Sequence, residues 1–127
     1  LFTFAVRCES INDTVNKMVN AGLERPKILD MSRNQPRGGK LSWRVARFEG
    51  HPFGSFLPFV IEWTDGHHPA QSLSHDCTLD AFSISHPEAA QLSEYLNLMG
   101  VSIVCSTGIK SLCVKLSTPN GEVALET

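Results

Sequence analysis

The stretch LFTFAVRCESINDTVNKMVNAG, residues 1–22, places a strand pattern directly before a helix pattern. In its first eight residues, larger apolar side chains at the even positions alternate with a second set at the odd positions, which is typical of a half-buried strand. From Ile11 onward apolar residues recur at helical spacing as far as Val19, and Gly22 follows as a C-terminal stop. We therefore expect an amphipathic helix after the strand.

Three more strand patterns follow this helix, and the same order of elements then recurs. PKILDMS, KLSWRVARFEG and FLPFVIEWT complete a βαβββ unit over residues 1–65. A polar, breaker-rich segment at 66–76 is predicted to be a linker. Residues 77–127 again give a strand, a helix from Pro87 and three strands. The sequence thus predicts one α+β domain of two tandem βαβββ units.

Each unit has one helix for one sheet, so one face of each sheet is left open. Two such sheets side by side are expected to form a curved trough. Ligand sites in proteins are concave, which makes this trough the place where a small-molecule site is expected.

The composition is that of a globular domain without strong charge. The chain has 127 residues, 42% of them hydrophobic, and its formal net charge is −2. These values argue against intrinsic disorder and against electrostatic binding to nucleic acid or an anionic membrane. No apolar run reaches the length of a bilayer span, so a soluble, cytoplasmic protein with a small-molecule partner is expected.

The four cysteines show no CxxC spacing and lie in or beside apolar stretches. In a cytosolic chain this pattern indicates free, buried thiols. Cys105 and Cys113 flank a predicted turn, so a disulfide between them stays open as an alternative.

Three stretches stand out in the sequence: KLSWRVA, LPFVIEW followed by the His68–Pro69 step, and TLDAFSISHPEAAQLSEYLNLMG at the start of the second half. Together with the paired βαβββ units, they resemble the glyoxalase-like domains of the vicinal oxygen chelate superfamily. The resemblance implies a divalent metal in the trough, bound by the first and last strands of each unit. The superfamily includes isomerases, lyases, dioxygenases and metal-free binding proteins. Its members often associate, so a homodimer is plausible.

Glu62 is the first candidate site residue. Alternation along its strand puts Val60 and Glu62 on one face, and the larger apolar set on the other face is expected to meet the helix. Glu62 is therefore predicted to point into the trough, with Val60 as a ligand contact. Glu126 aligns with Glu62 in the second unit and is a predicted ligand contact as well.

These two carboxylates are the candidate metal ligands. The first strands carry no histidine at the trough positions, so the predicted site is incomplete. Two carboxylates suit Mg²⁺ or Mn²⁺ held weakly with water, whereas Zn²⁺ or Fe²⁺ normally needs about three protein ligands. The ligand set favours a trough without a catalytic metal over one that holds it.

Two further residues are candidates for ligand chemistry. His68 follows the strand that carries Glu62 and is predicted to act as acid or base near the rim of the trough. Arg44 is predicted either to bind an anionic group of a ligand or to pair with an acidic residue on the sheet. Trp43, its neighbour, is expected to fill the core under the helix.

Two functions remain open at this point. The first is a site in the trough between the units that binds a small oxygenated molecule and transforms it by lyase or isomerase proton transfer, with Glu62 as base or metal ligand. The alternative is a non-enzymatic binding or scaffold module whose metal site is incomplete.

Overall fold

A computed structural model describes residues 1–65 and 67–127. In the first unit β1 is Ala5–Arg7, α1 is Ile11–Asn20, β2 is Ile28–Asn34, β3 is Lys40–Ala46 and β4 is Phe59–Trp63. In the second unit β5 is Thr78–Ser85, α2 is Ala89–Leu98, β6 is Val104–Ser106, β7 is Ser111–Thr118 and β8 is Gly121–Glu126. The predicted α+β class and the repeated βαβββ order are confirmed.

The segment between the units is described only in part. The predicted linker, 66–76, begins at Gly66, which lies outside the described residues. Pro69–Ser72 form a short 3₁₀ turn, and the side chain of His68 accepts a hydrogen bond from the backbone of Ala70 at its start. Among the described residues no helix combines the length and apolar character that crossing a bilayer requires.

The two sheets have the same sequence of parallel and antiparallel pairs, but the chain passes through their strands in a different order. The first has the order β1-β4-β3-β2 and the second the order β6-β5-β7-β8. Each has one parallel pair at an edge, and its other pairs are antiparallel. The last strand of the first unit is internal, whereas the last strand of the second unit is an edge strand. Glu62 and Glu126 therefore do not occupy matching positions, and the alignment made from sequence is wrong.

Helix α1 forms where its sequence pattern predicts it. Ser10 caps its N-terminus, and the hydroxyl of Ser10 accepts a hydrogen bond from the N–H of Asp13. Ile11, Val15 and Met18 are fully buried against the sheet. Burial of side chains of this size stabilises the fold by roughly 1.5–3 kcal/mol each, so packing rather than helix propensity holds α1 in place.

One hydrophobic core joins the two units. It contains residues of both helices, of β1, β3 and β4, and of β5 and β7. Phe53, in the loop before β4, packs its ring 5.6 Å from that of Tyr95 on α2. The Tyr95 hydroxyl donates a hydrogen bond to the carbonyl of Ala21, just after α1. The units therefore depend on each other for burial.

The cysteines are free in the structure. Cys105 on β6 pairs with Ile84, and Cys113 on β7 pairs with Ser83, so β5 separates the two thiols. Because Ile84 and Ser83 are successive residues of one strand, the two cysteines also lie on opposite faces of the sheet. The disulfide left open by the sequence does not fit this arrangement. Burial raises the pKa of Cys105, which keeps its thiol protonated.

Candidate ligand-binding site

Glu62 lies on the helix-covered face of the first sheet, contrary to the prediction. Val60, two residues earlier, is fully buried beneath α1, and alternation puts Glu62 on the same side. Its Oε2 accepts a hydrogen bond from the N–H of Ile11 over 2.8 Å. This donor is one of the unpaired backbone groups at the start of α1, where negative charge is favoured. Glu62 thus caps a helix.

Arg44 is held by acidic neighbours on that same face. Its Nε lies 3.3 Å from Asp30, and its Nη1 lies 3.7 Å from Glu62. These three residues are aligned across β2, β3 and β4 by the strand register. Of the two roles considered for Arg44, the structure shows the ion pair.

Cys8 adds to this polar cluster. Its thiol lies 3.6 Å from the carbonyl of Ile61, and burial, with a smaller contribution from the nearby Glu62 carboxylate, raises its pKa. Thr14 and Arg44 oppose that rise. A thiol whose pKa is raised is a poor nucleophile, so Cys8 is not activated for attack.

Val60 and Glu126, both predicted to contact a ligand, do not lie together in one site. Val60 belongs to the core and cannot contact a ligand without displacing α1. Glu126 lies on the edge strand β8, where Cys113 donates a weak hydrogen bond to it over 3.6 Å. It shares the face of Ser83 and Cys113, which is opposite to that of the buried Ile84 and Leu112.

The described residues do not fit the metal that the superfamily would imply. Within residues 1–65 and 67–127, no three His, Cys, Asp or Glu side chains are grouped so that they could hold an ion. Glu62 is engaged by the N-terminus of α1, and Glu126 lies on the uncovered face of the other sheet. These two carboxylates therefore offer no shared metal site.

The uncovered face of the first sheet forms a concave pocket of about 780 Å³. This volume falls in the range of small-molecule sites, which are mostly apolar clefts. All lining residues belong to the first unit, so the pocket is not between the units. Its floor is built by side chains that alternate with the core-facing ones on three strands: Leu29, Met31, Trp43, Val45, Phe59, Ile61 and Trp63.

A tryptophan pair marks one end of this floor. Trp43 and Trp63 are directly opposite each other on β3 and β4, and their ring centroids are 5.6 Å apart. Aromatic cross-strand pairs stabilise a sheet and present a flat apolar surface. The core position predicted for Trp43 is wrong, because this ring lies on the uncovered face.

Charged side chains surround the other end. The strand register pairs Ile28 with Ala46 and Ala46 with Val60. Their neighbours in the chain, Lys27, Arg47 and Phe59, therefore come together at this end of the pocket. The guanidinium of Arg47 lies 4.7 Å from the centroid of the Phe59 ring, which is a cation–π contact.

His68 lies beyond the tryptophan end. Its ring packs edge-on against Trp63, with centroids 5.4 Å apart, and lines a second depression of about 580 Å³ together with Arg33 and His67. Its Nδ1 accepts from the N–H of Ala70, which leaves Nε2 as the proton-bearing nitrogen of the neutral ring. The sequence predicts His68 at the rim of a trough between the units, whereas the structure places it beside the tryptophan end of the pocket on the first sheet. Its acid–base role stays a prediction.

The chain belongs to the glyoxalase-like domain family of the vicinal oxygen chelate superfamily, because the family model described as "Glyoxalase-like domain" matches residues 1–99. Among solved structures it is similar to a hypothetical protein from Staphylococcus aureus, with a TM-score of 0.59 and 15% identity. That match covers 98% of this chain and 51% of the other, so this chain spans about half of that protein's length. None of the curated proteins compared with the chain matches it.

Most of the pocket residues were not predicted from the sequence. A carboxylate within an apolar run was predicted to face the trough, and the larger apolar set was assigned to the core. One signal in the sequence pointed the other way: tryptophans occur in two successive strand patterns, Trp43 beside Arg44 and Trp63 beside Glu62. Lys27 and Arg47 carried no such signal, because they lie just outside the strands.

Proposed function

We propose that this domain binds a small molecule on the uncovered face of its first sheet. The observation that carries the proposal is the apolar pocket of about 780 Å³ with the Trp43–Trp63 pair on its floor. An exposed apolar surface of this kind is costly in water unless something covers it. Membership of the glyoxalase-like family supports ligand binding in general.

Binding, rather than proton transfer at Glu62, is the function that the contacts favour. A general base must have a free lone pair within reach of the substrate, whereas the Glu62 carboxylate is used by Ile11 and Arg44 on the opposite side of the sheet. If the domain also transforms its ligand, His68 is a side chain beside the pocket floor whose imidazole can accept and donate a proton. We therefore assign any acid–base role to His68.

A second candidate is a partner chain that covers the same face. It is favoured by the exposure of Leu29 (52%) and Met31 (45%) on the edge strand β2. Edge strands with exposed apolar residues are common places for association. A homodimer formed through this face would bury the pocket floor and exclude a small ligand from it.

The two candidates separate in a titration with phenylnaphthylamine, an uncharged dye, followed by energy transfer from tryptophan. Both tryptophans of the chain line the pocket, so a dye bound on the floor lies within transfer range, and loss of transfer in a floor variant locates the binding there. Ile61→Glu, which puts a charge on the floor, is expected to abolish transfer. Val104→Glu is the matched control, because Val104 is 70% exposed on the second sheet.

Light scattering on the same samples tests the second candidate. A monomer that binds the dye supports the small-molecule role. A dimer that dissociates in Ile61→Glu but not in Val104→Glu, with no transfer in the wild type, would replace it with the partner-chain role.

A further inference from the structure

We propose that the ligand is an organic anion with a flat apolar body, and that Arg47 and Lys27 bind its charged group. This inference rests on the proposed function and adds the chemical class of the ligand. The pocket is polarised along the strands, with the two tryptophan rings at one end and cationic side chains around Phe59 at the other. A ligand that matches both ends must itself be amphipathic.

The apolar end suits a planar body. Trp43 and Trp63 lie side by side on the floor, and Ile61 is on the same strand between Trp63 and Phe59. Flat rings stack on such surfaces in offset or edge arrangements, which add to simple area burial. An extended alkyl chain would gain burial but not this stacking.

The charged end has cations that are available to a ligand. Within the described residues, no carboxylate lies within 4.0 Å of the charged nitrogens of Lys27 or Arg47. Arg47 is held over the Phe59 ring, which positions its guanidinium at the pocket without using its N–H donors. Guanidinium groups bind carboxylate, sulfonate and phosphate oxygens in a bidentate manner.

Acidic residues at the same end do not cancel this charge. Glu24 and Glu49 also line the pocket, against Arg25, Lys27 and Arg47, so the cations outnumber the acids by three to two. The Glu24 carboxylate packs directly against the backbone of Gly50. A Cβ added at Gly50 would be 2.9 Å from the Cδ of Glu24. Arg25 donates to the side chain of Asn16, which leaves Lys27 and Arg47 as the pair for a ligand.

Two dyes with the same ring system test the inference. Anilinonaphthalene sulfonate carries an anionic group that phenylnaphthylamine lacks, and binding of both is followed by energy transfer from tryptophan. We expect the anionic dye to bind the wild type more tightly. Arg47→Gln should weaken binding of the anionic dye by about tenfold, the scale of one hydrogen bond to a charged group, and weaken that of the uncharged dye much less.

Arg37→Gln is the matched control, because Arg37 is exposed in the turn between β2 and β3 and does not line the pocket. If both dyes bind equally and Arg47→Gln changes neither, the anion inference is wrong while the proposed function stands. If neither dye gives transfer in the wild type, the proposed function fails. A loss of both dyes in Arg47→Gln, with an unchanged unfolding midpoint, would also overturn the anion assignment, because it would mean that Arg47 shapes the floor.

Discussion

The Glu62 carboxylate on β4 accepts a hydrogen bond from the N–H of Ile11, the first residue of α1, although 51 positions separate the two in the chain. This contact fixes the N-terminus of the helix to the centre of the first sheet. It also explains why an acid interrupts the apolar run LPFVIEW. The role of Glu62 is therefore structural.

Replacing Glu62 should therefore lower stability. We expect Glu62→Ala to reduce the free energy of unfolding by about 1–2 kcal/mol, the upper range for losing a helix cap, because the N–H of Ile11 loses its acceptor and Arg44 loses one of its two acidic partners. Glu62→Gln keeps an acceptor and should lose less. Urea unfolding measures both variants, with Glu122→Ala on the exposed edge strand β8 as control. A fully stable Glu62→Ala would mean that the cap contributes nothing.

The predicted metal site at Glu62 and Glu126 is open to a direct test. Thermal unfolding is measured with Mg²⁺, Mn²⁺, Ni²⁺, Zn²⁺ and chelator in wild type and Glu62→Ala. A ligand that binds only the native state adds roughly 2.7 kcal/mol at about 100 times its Kd. Because Glu62 is engaged by α1, we expect any metal response to be the same in both proteins. A shift that is lost in Glu62→Ala would restore Glu62 as a metal ligand.

Lowering the pH should destabilise the packing between the two units, because the buried side chain of His86 lies there. His86 is 1% exposed, and its ring lies against those of Phe53 and Phe56, with centroids 5.7 and 5.4 Å away. Its Nδ1 accepts from the N–H of Glu88, and its Nε2 has no partner among the described residues. Burial, and then the charge of Lys110, lower its pKa below the usual 6.5, with Glu88 opposing.

The sign of the effect follows from proton binding. The unfolded chain protonates at His86 as the pH falls through 6.5, while the folded protein still holds the ring neutral. The stabilisation of the folded state by the neutral His86 ring is complete above pH 6.5 and is lost as the pH falls through the lower pKa of the folded state. Between about pH 8 and about pH 5, wild type should lose stability more steeply than His86→Asn, which retains an acceptor for Glu88. His75→Asn, an exposed control, should match the wild type, and equal slopes in all three would contradict the assignment.

The elements of the fold could be predicted from the sequence because periodicity is local. The helix at Ile11–Asn20 and every strand pattern correspond to an observed element. The path of the second sheet could not be predicted in the same way, because the pairing of β5 with both β6 and β7 depends on contacts far apart in the chain.

The orientation of β4 was predicted wrongly for a physical reason. Alternation identifies the two faces of a strand but not which face a helix covers. The rule that the larger apolar set is buried failed here, because α1 supplies most of the bulk on its own face and needs only small partners such as Val60 and Ala46. The larger set, with Phe59, Ile61 and Trp63, was left to form the pocket.

The most direct test of the account observes the two indole N–H signals in a nitrogen–proton correlation spectrum, since Trp43 and Trp63 are the only tryptophans. The protein is titrated with phenylnaphthylamine. If the uncovered face of the first sheet is the ligand site, both indole signals shift and saturate with one Kd, while the amide of Val104 on the second sheet stays fixed. If the indole signals do not move, or if only signals of the second sheet respond, the pocket on the first sheet is not the binding site.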